Sequence, residues 1–393
     1  MSMHRKAAFA QPASASKLIL ITPYDPNDVS KWSGIPHSLY RALKEQQGSV
    51  GFTYARGVLG LLDFGARVIN RALRLLGIAL DCHFSAAYAM LAGAYLTIRF
   101  LFVGECTFLA IAGSNYVPYF ATKRRIIYIS DATFRSLSSL YPAFRAFPKW
   151  LREQGDRNEE KTLSKARFVI YPSRWASESA RVDYGTPPDR LFSLPFGPNI
   201  PDTMINKYYA PKSVSDKAIA LAFVSADWDR KNGDMAIAIC HLLIASGLTV
   251  RMMTVGDTPE YAKALDFVED RGFLKKSDPE QLAKLCEVYR QAHFFLLPST
   301  ADAFAIVFSE AGAFGVPSIA YDVGGVASAI LHGNTGLLLP PGASAEMFAN
   351  EIYRHVCAPG CYEELSRNCR VRYLNEANWR RWAEMIFRLA SSS

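Results

Sequence analysis

Pro298-Ser-Thr-Ala-Asp-Ala-Phe-Ala-Ile-Val-Phe-Ser-Glu-Ala-Gly-Ala-Phe-Gly-Val-Pro-Ser-Ile-Ala-Tyr-Asp-Val-Gly-Gly325 follows directly on the apolar run Phe294-Phe-Leu-Leu297. That run reads as a strand, Pro298 to Asp302 as a loop, Ala305 onward as a helix, and Pro317-Ser-Ile-Ala-Tyr321 as the next strand. Strands that are apolar on both faces and alternate with helices belong to a parallel sheet covered on both sides. Two acids, Asp302 in the loop and Glu310 just over one turn inside the helix, have seven residues between them.

The same signal recurs along the chain. Lys17-Leu-Ile-Leu-Ile-Thr22, Arg125–Ser130, Phe168–Tyr171, Ala218–Val224 and Thr249–Val255 read as strands, with helical segments such as His37–Leu43 between them. The 393 residues are two to three times a typical ~150-residue domain, so two domains sharing a cleft are expected. The Pro-, Gly- and Asn-rich stretch from Pro195 through Pro211 marks the division. This gives a loose tail at 1–16, a first α/β domain at 17–200, a second at 201–370 and a terminal helix at 371–393. Doubly wound sheets bind ligands beyond the carboxyl ends of their strands, which places a substrate between the two domains.

Half the residues are hydrophobic and a fifth are charged, which excludes a disordered chain. The seven cysteines lack CxxC spacing and are odd in number, so neither a disulfide framework nor a zinc site is expected, and a reducing cytoplasmic compartment fits. Residues 1–200 hold 25 Lys and Arg against 14 Asp and Glu, a surplus of +11; the remaining 19 against 22 leave −3. A basic first half attracts anions: an acidic acceptor, nucleic acid or an anionic membrane surface. No nucleic-acid motif is present.

The segment from Arg56 to Gly104 is rich in Leu, Ala, Gly and aromatics. Arg67, Arg71 and Arg74 fall at i, i+4 and i+7, so three cations share one helical face while Val68, Ile69, Leu73, Leu75 and Leu76 occupy the rest. Such a helix either lies in a membrane interface or packs on the first sheet with its arginines in solvent. The following run Phe84 to Ile98 is fifteen residues, short of the ~20 that span a bilayer.

The 298–325 segment resembles, almost residue for residue, the nucleotide-sugar half of retaining GT-B glycosyltransferases of the large family 4 type, which includes sucrose synthases and bacterial mannosyl- and glucosyltransferases. Asp302 stands where that family usually has Glu, and Ala303 and Ala305 stand where it often has Gly. The resemblance implies a GT-B α/β fold with two Rossmann-like domains facing a central cleft, the second binding the donor. Its donor contacts would be Asp302, Ala303, Phe304, Ala305, Ile306, Val307 and Glu310. The amides near Ile306 and Val307, unpaired at a helix start, would face the diphosphate, Glu310 would accept the ribose hydroxyls, and Asp302 the sugar's.

In the family an Arg and a Lys after an earlier strand face the diphosphate. Here Ala226 holds the usual Arg position, so Arg230 beside Lys231 is the substitute, and cations there would stabilise the leaving group. Solvated loop cations are the structural alternative. Asp227-Trp-Asp229 imitates the metal-binding DxD of a different glycosyltransferase fold, and no metal or other cofactor is expected. Leu274 and Lys275 match the loop whose backbone reads the nucleobase. Gly34 in Trp32-Ser-Gly-Ile-Pro36 matches the glycine loop facing donor and acceptor. Asp131 occupies the place of a family His that contacts the sugar; it is a candidate for sugar contact or acceptor-proton transfer, or a cap for a helix at Ala132–Leu140.

The resemblance implies transfer of a sugar to a hydroxyl acceptor, a glycan or lipid-linked glycan of the cell envelope, with retention by front-face attack. Asp131, Arg230, Lys231 and Asp302 would be the catalytic residues. The sequence holds no nucleophile elbow, Cys-His signature or P-loop to support another chemistry. A sugar-nucleotide epimerase of the same fold and a non-catalytic basic binding protein are the competing readings.

Overall fold

The computed structural model describes residues 17–47, 51–53, 58–215 and 217–392, so the tail expected at 1–16 lies outside the described residues. The first sheet contains β1 (Leu18–Ile21), β2 (Gly51–Thr53), β3 (Thr107–Ile111), β4 (Arg125–Ile129), β5 (Phe168–Tyr171) and β6 (Leu191–Ser193), ordered β2-β1-β3-β4-β5-β6 and parallel throughout. Its helices are α1 (Ile35–Gln47), α2 (Val58–Leu75), α3 (Ala86–Arg99), α4 (Phe134–Leu140), α5 (Pro142–Arg145), α6 (Lys149–Lys165) and α7 (Arg174–Tyr184).

The second sheet contains β7 (Ala218–Ser225), β8 (Thr249–Gly256), β9 (Val268–Asp270), β10 (Phe294–Leu296), β11 (Ser318–Tyr321) and β12 (Gly336–Leu339), again parallel. Its order, β12-β11-β10-β7-β8-β9, is the doubly wound order of a dinucleotide-binding sheet. The remaining helices are α8 (Asp202–Tyr208), α9 (Gly233–Ala245), α10 (Glu260–Lys263), α11 (Pro279–Gln291), α12 (Val307–Ala313), α13 (Val326–Ala329), α14 (Ala345–Cys357), α15 (Cys361–Asn375) and α16 (Trp379–Ser391). The chain reverses its direction of winding between β7 and β10. Loops leaving the carboxyl ends of these two neighbours have no helix crossing between them, which opens a crevice there.

The two halves meet over an apolar floor. Phe196 from the crossing segment packs against Phe304 at 5.3 Å and against Trp382 of α16 at 5.1 Å. The Trp382 indole donates to Pro195 O at 2.9 Å, and that of Trp379 to Pro198 O at 2.9 Å. Thus α16 leaves the second half and packs on α1 and β4 of the first.

Several local expectations need correction. Position 371 falls inside α15, which continues to Asn375 because Glu376–Asn378 is where the helical pattern breaks. The Pro195–Pro211 stretch contains a helix, α8, begun after Pro201. Asp131 does not cap α4: that helix starts at Phe134, and Thr133 Oγ1 accepts the Ser136 N–H at 3.1 Å. Ala305 is not helical; its φ of 56° is left-handed, and α12 begins at Val307, placing Glu310 in its first turn. Left-handed backbone favours Gly, which gives a physical reason for the family glycine at that position.

Candidate active site

Two loops of the second half build one wall. After β7, Asp227 Oδ1 accepts the Arg230 N–H at 3.1 Å and Oδ2 accepts Arg230 Nε at 2.8 Å, so this acid of the DxD look-alike holds a cation in place. Lys231 is 8% exposed, and its Nζ donates to both oxygens of Asp302, at 2.6 and 2.7 Å. Arg230 Nη1 donates to Ala301 O at 3.2 Å and lies 3.6 Å from Asp302 Oδ1. These cations are therefore not free in solvent. Burial pulls the Lys231 ammonium below its ordinary pKa, opposed by the adjacent Asp302 carboxylate. A buried pair of this kind is strongly destabilised when one member is removed, because the other is left uncompensated.

The loop from Asp302 to Ile306 is pressed against the turn at Gly324. A Cβ at Gly324, whose φ is +55°, would stand 2.2 Å from Asp302 O, so the glycine permits that approach. α12 has only seven residues, which leaves little macrodipole. The positive character of this wall comes chiefly from Arg230 and Lys231. Glu310 is fully buried: Oε1 accepts from Lys276 Nζ, and Oε2 accepts from the Tyr289 hydroxyl at 3.3 Å. Both oxygens of this carboxylate are therefore already engaged.

The first half supplies the facing wall. Trp32, Ser33 and Gly34 are successive left-handed residues with φ of 43°, 56° and 87°. For the first two this costs about 1–2 kcal/mol each. The turn is held by Asn199 Nδ2, which donates to Ser33 O at 2.5 Å, and by the Trp32 indole, which donates to Asp131 Oδ2 at 3.3 Å. A Cβ at Gly34 would meet Val29 O at 2.9 Å. Burial pushes the Asp131 carboxyl up to about 6, against the hydrogen bonds from Trp32 and from the backbone N–H groups of Asp131 and Ala132. Tyr141 spans the halves: its hydroxyl accepts the Ala303 N–H at 3.0 Å.

Between these walls lies a cavity of about 500 Å³ lined by Asp131, Arg230, Lys231, Asp302 and the run Ala303–Val307, with Ser33 and Ile35 flanking Gly34. That volume is in the range of small-molecule sites. Leu274, Lys275 and Glu310 are not among its lining residues. Leu274 is half-buried against the second core, and the exposed Lys275 has its N–H engaged by Gln281 Oε1 at 2.9 Å. Lys276 lines a further cavity of about 510 Å³ between α1, the crossing segment at Pro198–Asp202 and Ser277. Sequence reasoning missed Tyr141, Lys276 and Tyr289. Only Lys276, next to a residue already singled out, had a signal nearby.

Residues 218–357 match the family described as glycosyl transferases group 1. Among relatives, the chain is 26% identical over 278 residues to the D-inositol 3-phosphate glycosyltransferase of Gordonia bronchialis, covering 67% of this chain and 58% of that one. It is 41% identical over 240 residues to the protein of the same description from Nocardia farcinica, covering 57% of this chain and 50% of that one. The chain thus spans little more than half the length of these relatives. Among solved structures, HepE from Anabaena in complex with UDP-glucose superposes with a TM-score of 0.62 at 17% identity, covering 96% of this chain and 100% of that one. Residues 218–357 thus match a glycosyl transferases group 1 domain, and the two parallel sheets have the GT-B two-domain arrangement of the solved structure.

Proposed function

We propose that the chain transfers a sugar from a nucleotide-diphosphate donor to a hydroxyl of a glycan or lipid-linked glycan of the cell envelope, with retention at the anomeric carbon. The observation that carries this reading is the cavity in which Arg230, Lys231 and Asp302 face Asp131 across the cleft. The diphosphate sits against Arg230 and Lys231, near the amides of Ile306 and Val307, and draws Lys231 away from Asp302. The freed Asp302 carboxylate accepts hydroxyls of the sugar. Glu310 takes the ribose hydroxyls as Lys276 leaves, and the backbone at Leu274 and Lys275 borders the base.

The acceptor oxygen approaches C1 on the face from which the phosphate departs. The C1–O bond to the acceptor forms as the C1–O bond to phosphate breaks, and the acceptor proton passes to the departing phosphate oxygen. Arg230 and Lys231 stabilise the charge on the leaving group, and Asp131 orients the acceptor or sugar hydroxyl. Two cations, Arg230 held by Asp227 and Lys231 released from Asp302 by the donor, supply the positive charge that a metal would otherwise provide, so transfer proceeds without one. Activity in excess chelator tests this: abolition, with recovery on adding a divalent ion, contradicts it. The reading places the protein in the cytoplasm, at the inner face of the membrane.

The direct test is release of nucleoside diphosphate from a panel of nucleotide sugars, with extracted lipid-linked glycan, polysaccharide and a free polyol phosphate as acceptors. Acceptor-dependent release with one donor is the expected result. Interconversion of the donor's sugar without transfer would identify an epimerase instead.

A further inference from the structure

The first half carries an apolar surface that the transfer chemistry does not use. On α2, Leu59, Ala66 and Asn70 are turned inward, and the opposite side of the helix exposes Leu61, Phe64, Val68 and Leu75. These positions, with Ala72, repeat at intervals of three and four residues and form one stripe. Leu75 is 82% exposed. On α3 and just past its end, Met90, Leu91, Ile98, Leu101 and Phe102 are exposed, Phe102 at 95%. Single exposed apolar residues are ordinary, but a stripe on α2 beside a group of exposed apolar residues on and after α3, which packs on α2, marks an interaction surface.

The arginines lie along the edge of the α2 stripe. The helical positions of Arg67, Arg71 and Arg74 are about a quarter turn from it, between the apolar face and the buried one. Arg67 is 3.4 Å from Asp63, whereas Arg71 and Arg74 have no ion-pair partner among the described residues. An outward apolar face edged by unpaired cations is complementary to an anionic bilayer, where apolar side chains enter the acyl boundary and arginines meet phosphates. A second copy of this chain is a poorer occupant, because an isologous contact through this face would oppose the arginines of both copies. Among the described residues no helix is long and apolar enough to cross a membrane. The 18-residue α2, about 27 Å long, would therefore lie in the interface plane.

We infer that α2 and α3 form a docking face that seats the protein on an anionic lipid bilayer, with α2 and α3 lying in the interface and Arg71 and Arg74 at the headgroups. The inner side of α2 is held by an ionic cluster. Asp63 accepts from Tyr88 at 3.4 Å and pairs with His83 Nε2 at 2.9 Å, and His83 Nδ1 lies 2.6 Å from Asp81. Burial opposes the charge on His83, but these two carboxylates hold its pKa up at about 9, so the cluster is a fixed ionic strut. Tyr24 stacks on Trp32, the partner of Asp131, and its phenol is pushed up to about 12 by burial and by the carboxylates of Asp131, Asp63 and Asp81. The attachment does not depend on the transferase reading.

Flotation of the 393-residue protein with vesicles of equal parts phosphatidylglycerol and phosphatidylcholine tests the inference. Wild type is expected to float with them at low salt, and much less with pure phosphatidylcholine. The double variant Arg71→Glu/Arg74→Glu should lower partitioning at least fivefold per position, the fold-change that corresponds to ~1 kcal/mol per cation at such a surface. The triple variant Leu61→Gln/Val68→Gln/Leu75→Gln, altered only at exposed positions, should lower it at least tenfold. Melting temperature and nucleoside diphosphate affinity, measured on the same samples, should match wild type and so show that the fold is intact. Failure of wild type to float at low salt overturns the docking face. So does a concentration-dependent dimer in light scattering that the apolar variant abolishes. Flotation by a protein that binds no nucleoside diphosphate would leave the docking face standing and refute the donor site alone.

Discussion

Replacing Asp131 by Asn should make the protein more stable and less active. The carboxyl is raised from 3.8 to about 6 by burial, a shift of roughly two units or ~3 kcal/mol against ionisation. Its partial exposure to the cleft reduces this to ~2 kcal/mol. Because the folded-state value lies above that of the unfolded chain, the stability contribution is fully present below 3.8 and is lost as pH rises through about 6. Wild type therefore carries the penalty at pH 8 and escapes it at pH 4. Asn is neutral at both and keeps an oxygen for the Trp32 indole. Urea unfolding should show the variant ~2 kcal/mol more stable at pH 8 and no more stable at pH 4. Transfer should fall at least ~10²-fold, as for loss of a group that positions a reacting hydroxyl. A variant with wild-type turnover, or one without a stability gain at pH 8, would refute the reasoning.

Glu310→Gln should weaken nucleoside diphosphate binding by about 1.5–3 kcal/mol, the range for a hydrogen bond to a charged group, as read by calorimetry. Lys276→Met leaves the fully buried Glu310 without its cation; thermal unfolding should move down, while nucleotide affinity rises because no exchange is required. Glu159 is pushed up to about 8 by burial, against hydrogen bonds from Tyr128 and Tyr171, so its contribution is present below 4.5 and lost as pH rises through about 8. Glu159→Gln should accordingly gain stability relative to wild type between pH 7 and 9, measured by urea unfolding.

In the second half β7, β8, β10 and β11 were legible because they are mostly apolar and separated by helices of ordinary length. The spacing of the acids in the 298–325 run is local, but the loop runs on to Ile306 and the helix starts two residues later than the pattern suggests. β3 was missed because Thr107–Ile111 follows a segment already apolar throughout, so nothing in hydropathy separates strand from helix there. β6, β9 and the three-residue β2 are too short for a period to register. The state of the acids was not legible either. That Lys231 closes on Asp302 and Lys276 on Glu310 depends on side chains 71 and 34 residues away in sequence. The sequence pattern located the arginines of α2 but gave no means of telling that the apolar positions between them face outward.

Donor binding requires that the diphosphate of a nucleotide sugar lie against Arg230 and Lys231. Calorimetric titration of nucleoside diphosphate into wild type and into Arg230→Ala/Lys231→Ala, with circular dichroism to confirm folding, measures this directly. The prediction is saturable binding by wild type and affinity at least ~10²-fold lower in the folded double variant, from two lost charge-assisted hydrogen bonds. Equal affinity in the two proteins would contradict it.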